Sequence, residues 1–115
     1  MKELLPILKE NKERAIILIE KYFPETKKID FQQLYKDGII KTEDIPWVIV
    51  CGNDDTIVDC RVDELELTKT HDIVLTLWND SYNDYYQGFT VEDCISYSAN
   101  MIYEAIETIV QKIKK

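Results

Sequence analysis

The chain predicts an α+β fold: two N-terminal helices, a three-stranded antiparallel β-meander and a long C-terminal amphipathic helix. Three observations carry this. Apolar residues recur at helical spacing in the first third, alternate with a period of two from Trp47 to Trp78, and return to helical spacing after Thr90. The links between the predicted strands are short, which fits hairpins rather than crossovers. With 115 residues, 45% of them hydrophobic, the chain holds material for one core, so residues 1–115 read as a single domain.

The first helix is expected over Pro6–Tyr22. Pro is favoured at a first helical position because its missing N–H has no partner to lose there. Leu8, Ala15, Leu18, Ile19 and Tyr22 form the apolar stripe, Asn11 is its polar gap, and Pro24 stops the helix. The second helix is short. Asp30 is its N-cap, Gln33 completes a capping box, Phe31, Leu34 and Tyr35 point inward, and Gly38 takes the position just past the end.

Trp47–Cys51 reads as a strand apolar on both faces, Gly52–Thr56 as a turn, Ile57–Leu67 as a long second strand and Ile73–Trp78 as a third. The second strand contains a parity conflict: Val58, Cys60 and Val62 share one face, while Leu65 and Leu67 fall on the other. An extra residue near Asp63-Glu64 resets the pleat and puts all five on one face. Asp59, Arg61, Glu66 and one of Asp63 or Glu64 then line the opposite face. The last helix is expected to start at Thr90, where Thr90-Val91-Glu92-Asp93 resembles a capping box. Val91, Ile95, Ser98, Ile102, Ala105, Ile106, Ile109 and Ile113 keep its stripe, which serves core packing and, at this length, a possible homodimer along the helix.

The net charge of -8 is unevenly partitioned. Residues 43–107 hold fifteen acidic residues against Arg61 and Lys69, a balance of -13, while residues 1–42 stand at +2 and residues 108–115 at +3. Such a segment repels nucleic acid and anionic membranes and attracts basic partners. Solubility is the plainer use of the same charge. Sixteen Ile against three Ala, and twelve Lys against two Arg, suit the AT-rich genome of a bacterium or its phage.

Trp78–Phe89 reads as a loop with five aromatic residues and two acids. Tyr82, Tyr85 and Tyr86, interleaved with Asp80, Asn83 and Asp84, have the chemistry of a binding surface: stiff rings with polar tips. The other reading is a lid of rings folded back on the sheet. Asp80–Asp84 puts Tyr82 where a calcium loop needs an oxygen donor, and no glycine or closing Glu follows at the required offset.

No metal or cofactor is expected. Cys51, Cys60, His71 and Cys94 lack the close spacing of zinc ligands, and an odd count of cysteines without a secretion signal fits reduced thiols in the cytoplasm. The chain is expected to be non-enzymatic. It has one His, no Gly-x-Ser-x-Gly and no phosphate-binding glycine loop, though a Cys–His pair formed in space stays open.

The expected function is binding and inhibition of a basic, nucleic-acid-binding protein such as a nuclease, with carboxylates standing in for phosphates, as anti-CRISPR and nuclease-immunity proteins do. The expected contact residues are Asp54, Asp55, Asp59, Asp63, Glu64, Glu66, Asp80, Tyr82, Asp84, Tyr85 and Tyr86. The alternative is a cytosolic adaptor or secretion-type chaperone acting through an apolar groove or a dimer. A small enzyme is the third.

Overall fold

The structure is a computed structural model that describes residues 5–51, 56–94 and 98–114. In chain order the elements are α1 (Leu5–Tyr22), β1 (Lys28–Asp30), α2 (Phe31–Lys36), β2 (Trp47–Cys51), β3 (Ile57–Leu67), β4 (Ile73–Asn79), β5 (Asp84–Thr90) and α3 (Ser98–Lys114). Single 3₁₀ turns lie at Thr42–Asp44 and Val91–Asp93. The predicted turn carrying Asp54 and Asp55 lies outside the described residues, as do Ile95 and the side chains of Leu8 and Ser98.

The α+β class is as the sequence predicts, but the sheet is antiparallel with five strands rather than a meander of three. Its order is β1-β3-β4-β5, and β2 also pairs with β3. β1 and β2 share one edge of β3 end to end: Asp30 sits opposite Glu64, and Trp47 opposite Arg61. The chain between them leaves the sheet, forms α2 and returns.

β3 carries the predicted bulge. Val62 pairs with Leu77 and Glu64 with Thr76, so Asp63 is the extra residue. Val58, Cys60, Val62, Leu65 and Leu67 are consequently all buried. A second bulge lies in β5, where Thr76 pairs with Gln87 and Leu75 with Phe89, leaving Gly88 unpaired at a φ of 86°. This left-handed position favours glycine because a Cβ there crowds the backbone.

Two strands were missed on sequence for different reasons. β1 has three residues and buries one side chain, Ile29. In β5 the inward residues are Tyr86 and Phe89, three apart, because Gly88 breaks the period of two. Trp47–Cys51 is also not apolar in use on both faces: Val48 and Val50 are buried, whereas Trp47 and Cys51 are exposed.

The inward side chains form one core with α1 and α3. These helices run parallel, side by side: Asn11 donates to Asn100 at 3.2 Å, Arg14 pairs with Glu107 at 2.7 Å, and the Lys114 ammonium lies over the Tyr22 ring. Ala15 and Ile19 of α1, and Ile102, Ile106 and Ile109 of α3, join Val48, Leu75 and Leu77 in one core. Each fully buried Val, Leu, Ile or Phe contributes roughly 1.5–3 kcal/mol of burial. Tyr103 and Val110 are buried on α3 beyond the predicted stripe, and Ile113 is exposed.

The caps explain where helices start and stop. The Asp30 carboxylate accepts the Gln33 N–H at 3.0 Å, but the Gln33 side chain reaches forward to Asp37 rather than back, so the expected box is half formed. Gly38, at a φ of 77°, closes α2: its N–H bonds to Tyr35 and that of Ile39 to Leu34. Tyr35 is exposed rather than inward. Asp93 accepts both the N–H and the hydroxyl of Thr90, as the sequence suggests. That cap starts only the turn Val91–Asp93, because Cys94 is extended at a ψ of 143°, and the long helix begins at Ser98 instead of Thr90.

Two ion-pair sites bind the layers together. Lys12 of α1 reaches Glu92 at 2.6 Å and Asp72 at 3.5 Å. Asp44 pairs with Lys112 of α3 and also accepts the Lys41 N–H at 2.8 Å. These donors hold the Asp44 carboxyl below its ordinary pKa, the Lys112 hydrogen bond contributing most. Asp44→Ala is expected to cost about 1–2 kcal/mol of stability at neutral pH, the sum of a lost cap and a half-buried ion pair. A depressed carboxylate stabilises above its unfolded pKa and loses that contribution as pH falls through its folded one. The gap between wild type and variant should therefore close in acid, which urea titrations at a series of pH values will show.

Candidate protein interface

With α1 and α3 on one face, the pleat decides what the other face presents. Strand parity turns Ile73, Leu75, Leu77 and Asn79 inward and Val74, Thr76 and Trp78 outward. α2 reaches this outer face at its β1 margin, where Gln32 lines a depression with Glu64, Thr76 and Gln87. Register lines up three rows that cross the face from the β1–β2 edge to β5. Trp47, Arg61, Trp78 and Tyr85 form the first; Asp30, Glu64, Thr76 and Gln87 the second; Lys28, Glu66, Val74 and Thr90 the third.

The first row is a ridge of rings around one cation. Trp78 and Tyr85 meet edge to face with centroids 4.7 Å apart. The Trp78 indole N–H donates to Asp80 at 2.6 Å. Trp47 is 39% exposed at the far end. Arg61 bonds to Asp63 through Nε at 2.6 Å and through Nη2 at 3.4 Å. That hydrogen bond is the main cause raising the guanidinium's pKa above its ordinary value, with burial opposing and Asp80 and Tyr85 adding to the rise. Shallow depressions flank the ridge. One, of about 420 Å³, lies among Trp47, Asp59, Asp80 and Tyr82. The other, of about 330 Å³, lies among Asp30, Glu64, Tyr85 and Gln87.

The two cations of this face are engaged within it. Arg61 is tied to Asp63, and Lys28 to Glu64 at 2.9 Å. Asp59, Glu66, Asp80 and Asp84 remain exposed. The face therefore carries more carboxylates than cations, and its net charge is negative.

The expected contact residues thus divide. Asp59, Glu66, Asp80, Tyr82, Asp84 and Tyr85 stand on the outer face or its hairpin, with Tyr82 59% and Tyr85 54% exposed. Asp63 is 5% exposed and its carboxylate is spent on Arg61, which corrects the idea of a presented acid there. Glu64 is half-buried against Lys28. Tyr86 points inward and packs on the core. Asp54 and Asp55 lie outside the described residues.

The segment read as a loop is a hairpin, and Asn79 holds it. Its side-chain oxygen accepts the Tyr82 N–H at 2.6 Å, and its amide donates to the Asp59 carbonyl at 2.9 Å. Asn83 adopts a φ of 52°, which Asn tolerates better than most residues. Sequence reasoning left Trp47, Arg61 and Trp78 out of the site. The signal for them was parity: each is out of phase with a buried Val or Leu.

The groups that bear on other chemistry are dispersed. Among the described residues, no three His, Cys, Asp or Glu side chains converge on a metal-sized site. His71 sits in the β3–β4 turn at a φ of 62°, exposed, with Glu20 3.9 Å away. Burial pushes the Cys60 thiol up to about 11 and the Cys94 thiol to about 12, so both are held protonated at neutral pH. Among the described residues, no helix is long and apolar enough to cross a membrane. The helix layer has its own exposed apolar surface: Ile17 is 62% exposed beside a groove of about 270 Å³ between α1 and α3.

The chain matches no protein-family model, no curated protein and no solved structure. The site must be read from its own chemistry.

The three tyrosines make that reading measurable. Tyr82→Ala is expected to change stability by less than about 0.5 kcal/mol, as at ordinary surface positions. Tyr85→Ala should cost up to about 1 kcal/mol through the lost contact with Trp78. Tyr86→Ala, which removes a ring from the core, should destabilise several-fold more than Tyr82→Ala. Thermal melts of the three single variants check this order.

Proposed function

We propose that this protein binds a basic, nucleic-acid-binding protein through the outer face of its sheet and the β4–β5 hairpin, and inhibits it by placing carboxylates where phosphates would lie. The observation that carries this is the combination on the outer face of the sheet and the hairpin that adjoins it. Exposed Asp59, Glu66, Asp80 and Asp84 surround exposed Trp47, Tyr82 and Tyr85, while both cations of the face are already paired. Carboxylates supply steering and register toward a basic cleft, and the rings supply desolvated contact area. The partner is a protein rather than a nucleic acid, because phosphate binding needs free Lys and Arg.

The reading makes no use of catalysis. The contacts themselves block the partner's nucleic-acid site. An adaptor working through the apolar groove beside Ile17 would behave differently, since apolar contact responds little to salt.

The test begins with capture of the partner from a native host lysate and continues with the purified pair. Association should slow steeply as salt rises, and the complex should exclude the partner's DNA or RNA. Reversal of Asp59, Glu66, Asp80 and Asp84 to Lys should reduce the association rate about tenfold or more, as for steering charges. An on-rate indifferent to both salt and these substitutions would leave the charge as a solubility device only.

A further inference from the structure

We infer that β5 is a docking edge at which a basic, extended segment of the partner adds as a further strand of the sheet. This rests on the proposed binding of a basic protein and names how that partner is held. β5 is the outermost strand, and among the described residues it pairs only with β4. Most of its residues are exposed. Sheet edges are ordinarily guarded by Lys, Pro, a bulge or a covering segment, and of these β5 carries the bulge at Gly88. Here the sequence holds no Lys or Arg between Lys69 and Lys112 and no Pro after Pro46.

The backbone at this edge is held in a replaceable bond. The Tyr85 N–H donates to the carboxylate of its own neighbour, Asp84, at 2.8 Å, and not to β4. By the period of two, the Gln87 N–H faces the same way. An arriving strand can offer a carbonyl to Tyr85, which frees the Asp84 carboxylate to pair with a cation of that strand. Beyond Gln87 the bulge at Gly88 turns the edge, so the straight template is Asp84–Gln87. Alternate side chains of the added strand would lie beside Tyr85 and Gln87, within reach of Asp80 and Asp84. Lys or Arg at those positions meets rings and carboxylates together.

Charge selects this occupant over a second copy. Two β5 edges brought together would face segments that each carry Asp80, Asp84, Glu92 and Asp93 and hold no Lys or Arg, acid against acid.

The probe is a ten-residue peptide alternating arginine and threonine, added to the intact protein, with amide hydrogen exchange followed by NMR. Exchange at Tyr85 and Gln87 should slow at least tenfold on binding. A peptide of the same sequence with alternate backbone amides N-methylated should bind at least tenfold more weakly, as should the plain peptide to Gln87→Pro, whose proline falls where the N–H faces out. The methylated peptide keeps the test valid if that variant fails to fold. Equal binding of both peptides without protection of β5 overturns the edge while leaving the acidic face as a charge-only surface. Absence of any peptide binding overturns both. Concentration-dependent protection of β5 without peptide overturns it in favour of a second copy.

Discussion

The extra residue at Asp63 is the constraint on which the architecture depends. β3 is the strand that β1, β2 and β4 all pair with, and its two apolar halves have opposite parity. Without the bulge, either Val58, Cys60 and Val62 or Leu65 and Leu67 would face water, at roughly 1.5–3 kcal/mol for each large side chain. The bulge is not itself free of cost, since it leaves a carboxylate at 5% exposure. Arg61, two residues earlier on the same strand, satisfies it with two hydrogen bonds. Breaking such a half-buried pair from one side leaves an uncompensated charge, which is why the pair and the bulge stand or fall together.

The same device shapes the outer surface. Because the pleat is reset once, Arg61 before the bulge and Glu64 and Glu66 after it all project away from α1 and α3. Arg61 lies between Trp47 and Trp78 in register, and its attachment to Asp63 keeps it on the sheet. Lys28 is drawn to Glu64 in the same way. The face is thereby left with surplus carboxylates and with Trp47, Trp78 and Tyr85 held by strands. A rigid element loses less conformational freedom on binding than a loop would.

The helix layer supplies what this surface needs behind it. α1 and α3 close the inner face over a continuous core, and their polar contacts reach around the edges of the sheet. Lys12 spans to the β3–β4 turn and the 3₁₀ turn before α3, and Asp44 joins the entry to β2 to Lys112 near the end of the chain. The acidic middle of the chain is thus anchored by lysines from its less acidic ends. The segregation of charge along the sequence becomes a segregation between a binding face and its support.

The sequence by itself determined the α+β class, the positions of α1, α2, β2, β3 and β4, the bulge in β3, and the acidity of residues 43–107. Each of these is a local pattern: a period, a cap, a parity break or a count. The tertiary structure decided what local patterns do not contain. β1 exists because three residues find the free edge of β3, and β5 because Tyr86 and Phe89 reach the core from either side of Gly88. Thr90 carries a good cap yet starts only one turn, since the chain must first leave the sheet before a helix can lie across it. The site divides along the same line. That Asp59, Glu66, Asp80 and Asp84 are acids was written in the chain. That Asp59 and Glu66 share a face with Trp47, Trp78 and Tyr85, with Asp80 and Asp84 at the adjoining hairpin, while Asp63 is buried and Tyr86 turns inward, follows from strand register, which is set by pairing between segments far apart in sequence.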